Sequence, residues 1–417
     1  LKEKRIKNME RLIKHKITQY HHPVRRNSLL LTTHNGLHGM LFILPVLLPY
    51  YIDVLGLSFR DFLLGEIAFT AVVVLMEVPS GWLSDVWRRK YVLALGSFFN
   101  AVGFTALFLA DGFWSALVGQ SIVGIGVSLV SGTNTALLYD TLLSYRQQKH
   151  YRRLEGQRHS SGLYIAGLAS LIGGVLYTIN PYLPMFMTIV VYVAALGVAL
   201  CVHEPFRHKA VVEKSPFHDL AATIRYALHG HKYVAALIAF TAILFGTTQA
   251  GMWIQQPYWL KLGIDELYFG VLLSVGLLFA GLGSSFGHML DKHFKPETIF
   301  AVMLCAVAAA YLVAGSMISF AALFLLYTSS VAYGVGMPAI QLAINDHVGS
   351  ARRATILSTA MLCARFVFLP IAAIVGYIEE LHHVGYALLF MGGFLIAGGL
   401  FVMFMFRSAY IGNQHSK

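Results

Sequence analysis

Four ionisable side chains stand inside apolar stretches of this chain: His34, His38, Glu66 and Arg365. A titratable or charged group at membrane depth is costly, and such groups mark substrate paths and proton relays. His34 and His38 are four residues apart and share one helix face. That spacing also suits a metal, but no third ligand is evident, so neither a metal nor another cofactor is expected. An imidazole ordinarily titrates near neutrality, which suits proton exchange. Packing through hydrogen bonds is the alternative role for the pair. By the helical rise, Glu66 lies about 21 Å and Arg365 about 18 Å from the same membrane face, and His38 about 14 Å into its span. The similar depth of Glu66 and Arg365 raises an ion pair between them. An anionic cargo group, or snorkelling and backbone carbonyls, could satisfy Arg365 instead.

The elements that position these residues follow from composition. Of 417 residues, 57% are hydrophobic and 12% charged, and the mean hydropathy is +0.65. A soluble domain carries about 25% charged residues, and no soluble interior of this size hides so much apolar surface. This excludes a soluble enzyme, a disordered chain and a disulfide scaffold. Cys201, Cys305 and Cys363 sit singly in apolar runs, as packing residues do. Twelve helix-length apolar segments can be read, at 29–54, 60–80, 91–111, 113–138, 160–180, 182–202, 233–256, 267–290, 297–316, 318–342, 353–379 and 382–406. Of 31 Lys and Arg residues, 28 fall on one side of these spans. That asymmetry predicts a multi-pass protein with both termini in the cytoplasm. Residues 1–28 are basic and lack the short apolar core of a cleavable signal. They form either a basic helix on the anionic lipid surface or a solvated tail.

The chain divides at a polar segment, 203–232. A six-helix half over 29–202 precedes it, a second over 233–406 follows it, and a short tail covers 407–417. The halves echo each other: Gly81 and Asp85 recur as Gly287 and Asp291, and Asp140 as Asp346, all at an offset of 206. Duplicated halves around a central path are a transporter architecture.

The loop Gly81-Trp82-Leu83-Ser84-Asp85-Val86-Trp87-Arg88-Arg89-Lys90 resembles the major facilitator superfamily signature G-x-L-x-D-R-x-G-R-R/K. Glu77-Val78-Pro79-Ser80, the run from Ser131 to Asp140, and the run from Arg352 to Ser358 are similar to a bacterial drug-exporter-like branch. The resemblance spans 29 to about 406. It departs at Val86 and Trp87, and at Gln120, where many proton-coupled exporters carry Arg in R-x-x-x-G-x-G. The family's proposed role for that Arg in coupling therefore does not transfer. The resemblance implies an all-α membrane fold of twelve transmembrane helices in two pseudo-symmetric six-helix halves. It also implies that spans 2 and 11 face each other. Gly81, Asp85, Arg88, Arg89, Asp140, Gly287, Asp291, Asp346, Arg352 and Arg353 then form a gating network. In it Asp85 meets the helix start of span 11, whose free N–H groups attract an anion. Structural capping and helix-end charge are the simpler roles.

In this fold spans 1, 4, 7 and 10 line a central cavity. Asn35, His38, Gln120, Asn134, Gln249, Trp253, Gln256, Tyr327 and Tyr333, with Arg365, are the candidate cargo residues. Amides and aromatics with few charges suit an amphipathic small organic molecule. Gln256-Pro257-Tyr258 is expected to break span 7. Glu66, His38 and His34 are the candidate proton carriers. No GxxxxGK[ST], HExxH or GxSxG motif occurs, so ATP coupling and these enzyme chemistries are not expected, and nothing indicates nucleic-acid binding. The sequence reads as a monomeric bacterial inner-membrane transporter, surrounded by membrane lipid and driven by protons to export its cargo. Uptake of a nutrient or an iron-chelating compound is the alternative, and a non-transporting receptor the alternative of another class.

Overall fold

The computed structural model describes residues 24–205, 231–290 and 293–414. The expectations for 1–23, for 206–230, for Asp291, for the Arg352 side chain and for the last three residues lie outside the described residues. Within them the secondary structure is helical and no strand occurs. Twelve segments there are long and apolar enough to cross a membrane. We number the helices α1 (24–39, the start of the span Val24–Val54), α2 (Phe59–Val86), α3 (Arg89–Phe108), α4 (Phe113–Ser144), α5 (Tyr151–Ile179) and α6 (Leu183–Cys201). The second set is α7 (Lys232–Lys261), α8 (Phe269–Leu290), α9 (Pro296–Ser316), α10 (Phe320–His347, interrupted at Tyr327), α11 (Ser350–Leu381) and α12 (Val384–Gln414).

Local chemistry ends the helices. Ser58 Oγ accepts from Asp61 N while Asp61 Oδ2 accepts from Ser58 N, a capping box that starts α2. The Glu204 carboxylate accepts from the first two N–H groups of α3, at Arg89 and Lys90 (3.0 and 2.9 Å). Arg353 donates to the carbonyls of Asn345 (2.7 Å) and Val348 (2.8 Å) and so covers the last turn of α10.

Helices α2, α3, α4 and α6 pack chiefly within the first set and α7–α12 within the second, while α5 packs chiefly on α8. Small residues set the closest approaches. A Cβ on Gly96 would sit 2.9 Å from Gly126 O, and one on Gly103 2.7 Å from Val123 N, so α3 and α4 meet backbone to backbone. The two sets meet along α2–α11 and α5–α8. On the second seam Gly270 lies against Ser170 O, Ser274 Oγ donates to Gly167 O (3.1 Å), and a Cβ on Gly174 would meet Leu267 O at 2.7 Å.

Two helix expectations are corrected. Span 7 is not broken: α7 runs through Pro257. Span 1, read as continuous, is broken instead. Its helix stops at residue 39, and 3-10, α and π turns follow from Leu44 to Val54. Pro45 and Pro49 explain the break, because each removes a backbone donor from the helical ladder.

The candidate transport site and the seam between the halves

The break in span 1 and Gln256 fit together. Leu48 N and Leu44 O are a donor and acceptor four residues apart, a pair an uninterrupted helix would join directly. Here Gln256 of α7 stands between them. Its Oε1 accepts from Leu48 N (3.1 Å) and its Nε2 donates to Leu44 O (3.3 Å). An amide from the second half thus completes the hydrogen bonding of a helix in the first. Nearby, Trp253 packs edge-on to Phe62 of α2 (5.1 Å between centroids), and Phe62 packs edge-on to Tyr51 (5.2 Å). These contacts join the halves toward the face opposite the basic one.

Under this aromatic group, Gln120 Nε2 of α4 donates to Glu66 Oε1 of α2 at 2.9 Å. Both side chains are buried, and the Tyr51 ring shares their surroundings. Glu66 makes no ion pair among the described residues. The neutral amide at the position where exporters carry Arg is therefore the partner of the buried acid.

The expected Glu66–Arg365 pair is not formed. Arg365 Nη1 reaches Glu77 Oε2 at 2.8 Å, in a pair from α11 to α2 with side chains 31% and 38% exposed. The reason is helix rotation and crossing: depth along the spans does not say which side chains of α2 and α11 face each other, and Glu77, not Glu66, faces Arg365. Pro79 lacks a donor, and Ser80 Oγ donates to the carbonyl of Glu77 (3.2 Å). At the other end of the same two helices Arg60 pairs with Glu380. The α2–α11 seam thus carries one ion pair at its opposite-face end and one midway along α11, with the charges reversed between them.

The histidines point into the first half. His34 and His38 place Nε2 at 2.9 and 3.1 Å from Ser97 Oγ of α3. Asn134 Nδ2 lies 3.2 Å from His34 Nδ1, and the His38 ring packs edge-on to Tyr192 of α6. Ser97, and not a metal-binding side chain, occupies the space the imidazoles share. Asn35 belongs to a different group. Arg158 Nη1 donates to Asn35 Oδ1 (3.0 Å), its Nη2 to Thr135 Oγ1 (2.9 Å), and its Nε to Glu155 Oε2 (2.9 Å). Arg158 lies before the span expected at 160–180. It is buried because α5 begins at Tyr151 rather than near 160.

The remaining candidates scatter. Tyr327 donates to Leu272 O (2.9 Å) and serves packing. Tyr333 is 46% exposed and lies beside Phe245, and Gln249 is half-buried in α7. On the basic face Arg89 bridges Asp140 (2.8 Å) and Asp85 (3.0 Å), both in its own half. Asp85 therefore pairs with Arg89 in this conformation, while Arg353 is engaged by α10 carbonyls. Asp346 and Arg88 are exposed, Gly81 has open space around it, and Gly287 packs on Val335. The candidate residues do not include Ser97, Thr135, Glu155 or Glu77 as the partner of Arg365. Glu77 and Thr135 carry a signal, through the Glu-Val-Pro-Ser context and the run from Ser131 to Asp140.

Twelve apolar helices in two packed sets, joined by ionic and amide contacts between them, define a multi-pass membrane protein. The chain matches the Major Facilitator Superfamily over residues 30–373 and belongs to that family. An uncharacterized transporter of Buchnera aphidicola subsp. Schizaphis graminum (strain Sg) is 28% identical over 106 residues, which is 25% of this chain and 26% of that protein. Among solved structures, the nucleoside transporter NupG is similar with a TM-score of 0.72 at 14% identity, covering 92% of this chain and 99% of that one. A bacterial homolog of the human lysosomal transporter Spinster, inward-facing and unoccupied, gives 0.69 at 16% identity, covering 94% and 98%. A POT family transporter in complex with 5-aminolevulinic acid gives 0.66 at 13%, covering 93% and 96%. At these identities the likeness is one of fold.

Proposed function

We propose that the chain is a secondary transporter of the bacterial inner membrane that exports a small organic molecule, driven by proton entry. The basic face is its cytoplasmic side, as 28 of 31 basic residues indicate. The observation that carries alternating access is the distribution of contacts between the halves. Gln256, Trp253, Arg60 and the Gly174 and Gly270 seam join them toward the opposite face. The charge clusters described at the basic face stay within one half, around Arg89 and around Arg353. This arrangement favours a state closed to the outside, with Asp85 released from the start of α11. Asp85 engages that helix start when the cytoplasmic side closes.

Glu66 is the proposed proton carrier. It is buried, has a neutral hydrogen-bond donor in Gln120, and lies beside the place where the halves meet. Its protonation removes a charge from the dry side of the seam, so proton binding and outward opening are linked. His34 and His38 are held by Ser97 away from that seam and have a structural role in this reading. The Glu77–Arg365 pair is the proposed anchor for a cargo that carries an acidic or basic group, because a charged ligand can compete for either partner. Export agrees with the Glu-Val-Pro-Ser run of the exporter-like branch.

The test is metabolite and drug-susceptibility profiling of a deletion strain, complemented with wild-type protein or with Glu66→Gln. A compound that accumulates inside the deletion strain, and is cleared by wild type and not by Glu66→Gln, supports export by proton exchange. A compound that the deletion strain fails to take up reverses the direction. Full clearance by Glu66→Gln removes Glu66 as carrier.

A further inference from the structure

Two hydroxyl groups beside Glu66 have no hydrogen-bond partner. They are Tyr51 Oη, in the π turn of span 1, and Thr70 Oγ1, one turn along α2 from Glu66. Both residues are less than one-tenth exposed, as are Glu66 and Gln120. A Cβ on Gly65 would lie 3.2 Å from Tyr51 Oη and 3.4 Å from Gln120 Cγ, so the tyrosine hydroxyl and the amide side chain cover the same turn of α2. Glu66 and Thr70, four residues apart, share a face of that helix. Thr70 is also unlike other helical threonines of the chain. Thr105, Thr141, Thr188, Thr241, Thr247 and Thr359 each donate Oγ1 to the carbonyl four residues before, and Thr70 does not.

Idle hydroxyls in a dry interior cost free energy unless another state uses them. The group there that can use them is the carboxyl. Gln120 Nε2 donates to one oxygen of Glu66 (2.9 Å), and among the described residues no donor reaches the other. One donor suits a neutral carboxyl, whereas an ionised carboxylate accepts at both oxygens and takes two or three. The charged groups on the elements packed against α2 are engaged elsewhere. Arg89 pairs with Asp85 and Asp140, Arg365 with Glu77, and Glu380 with Arg60. Lys90 stands over the Tyr91 ring, Arg353 donates to α10 carbonyls, and Asp53 accepts from Tyr177. Glu379 adjoins Glu380 at the far end of α11, and α4 carries no charge from Phe113 to Tyr139. Tyr50, the other tyrosine of the π turn, donates to carbonyls at the end of α3.

We propose that Tyr51 and Thr70 are the donors that receive the Glu66 carboxylate when its proton leaves. The Glu66 O–H bond breaks, the proton passes to water at whichever face is open, and the two hydroxyls turn to the oxygen it left. Tyr51 also ties this exchange to the seam. Its ring ends the row Trp253, Phe62, Tyr51, so the donor is free to move when Trp253 of the second half withdraws. Both are positioning residues, and neither carries the proton. The proposal rests on the reading of Glu66 as proton carrier and adds what sets its affinity for the proton.

The test uses the proton itself as probe and needs no cargo. Infrared difference spectra of the purified full chain in nanodiscs, titrated with pH, follow the carbonyl stretch of a protonated carboxyl, assigned to Glu66 by its loss in Glu66→Gln. Tyr51→Phe keeps the ring and removes a hydroxyl that bonds nothing in this conformation, so its melting temperature should match wild type. The Glu66 band should nevertheless persist to higher pH, because the ionised form has lost a donor. One charge-assisted bond corresponds to about tenfold in proton affinity, or about one pH unit. Thr70→Val should move the midpoint in the same direction. A Tyr51→Phe midpoint equal to that of wild type overturns the proposal and leaves Glu66 as carrier. If that variant does not insert, an unmoved midpoint in Thr70→Val does the same. A wild-type spectrum with no titrating Glu66 band overturns the carrier reading, and this proposal with it.

Discussion

Gln256 should act as a latch between the halves, and its removal should open the face where it sits. Gln256→Leu keeps the volume and removes both hydrogen bonds to span 1. Each such bond contributes about 0.5–1.5 kcal/mol net, so the present conformation loses about 1–3 kcal/mol. The groups left behind do not stay unpaired in every state. Leu48 N–H and Leu44 C=O are four residues apart and can bond to each other once the halves separate, which favours separation further. A change of about 1–3 kcal/mol moves a two-state ratio by about 5- to 150-fold. Spin labels at Leu109 and Met317, which are 72% and 63% exposed on the opposite-face loops of the two halves, report the separation directly. The three native cysteines would first be replaced. The distance distribution in Gln256→Leu should shift to longer values than in wild type, and Gln256→Asn, with a shorter reach, should lie near the leucine variant. Superimposable distributions for wild type and Gln256→Leu would refute the latch, since both bonds are then energetically neutral between states.

Four further outcomes are expected. A double-mutant cycle on Glu77→Gln and Arg365→Gln should give a thermal-stability coupling of about 1–2 kcal/mol, between the values for exposed and buried pairs, whereas Glu66→Gln and Arg365→Gln should be additive. Arg158→Ala should lower stability by about 2–4 kcal/mol because Glu155 then lacks its cation, and adding Glu155→Ala should recover part of the loss, as read by thermal unfolding in detergent. Glu66→Gln should make transport in proteoliposomes indifferent to an imposed pH gradient while the protein still inserts and binds cargo; retained gradient dependence would count against it. Asp85→Asn should change stability by less than about 1 kcal/mol, since the Asp85 side chain is 52% exposed, yet slow transport several-fold in the same liposomes.

The number and order of the helices were legible in the sequence because hydropathy is a local property. A span such as α6 is apolar over almost its whole length, and no distant contact can alter that. The duplication was legible too, since Asp140 and Asp346 stand at matching helix ends of α4 and α10. What failed was the position of helix ends wherever charge continued into a helix. The expected span 5, 160–180, lacks the first turns of α5, because Glu155 and Arg158 look like water-facing charge. Tertiary packing satisfies Arg158 with Asn35 of α1 and Thr135 of α4, and so lets the helix extend.

Partner choice belonged to the tertiary structure for the same reason. Depth along two helices cannot say which side chains face each other, since that depends on helix rotation and crossing. Arg365 therefore met Glu77, and Glu66 met Gln120. Pro45, Pro49 and Pro257 show the limit most plainly. The sequence marks each as a lost donor, but whether the helix breaks depends on what takes up the freed backbone groups. In span 1 the carbonyl that Pro45 leaves free, Leu41 O, takes Leu44 N in a tighter turn, an amide from the other half joins Leu48 N to Leu44 O, and the helix parts, while in α7 the buried surroundings hold the helix through its proline.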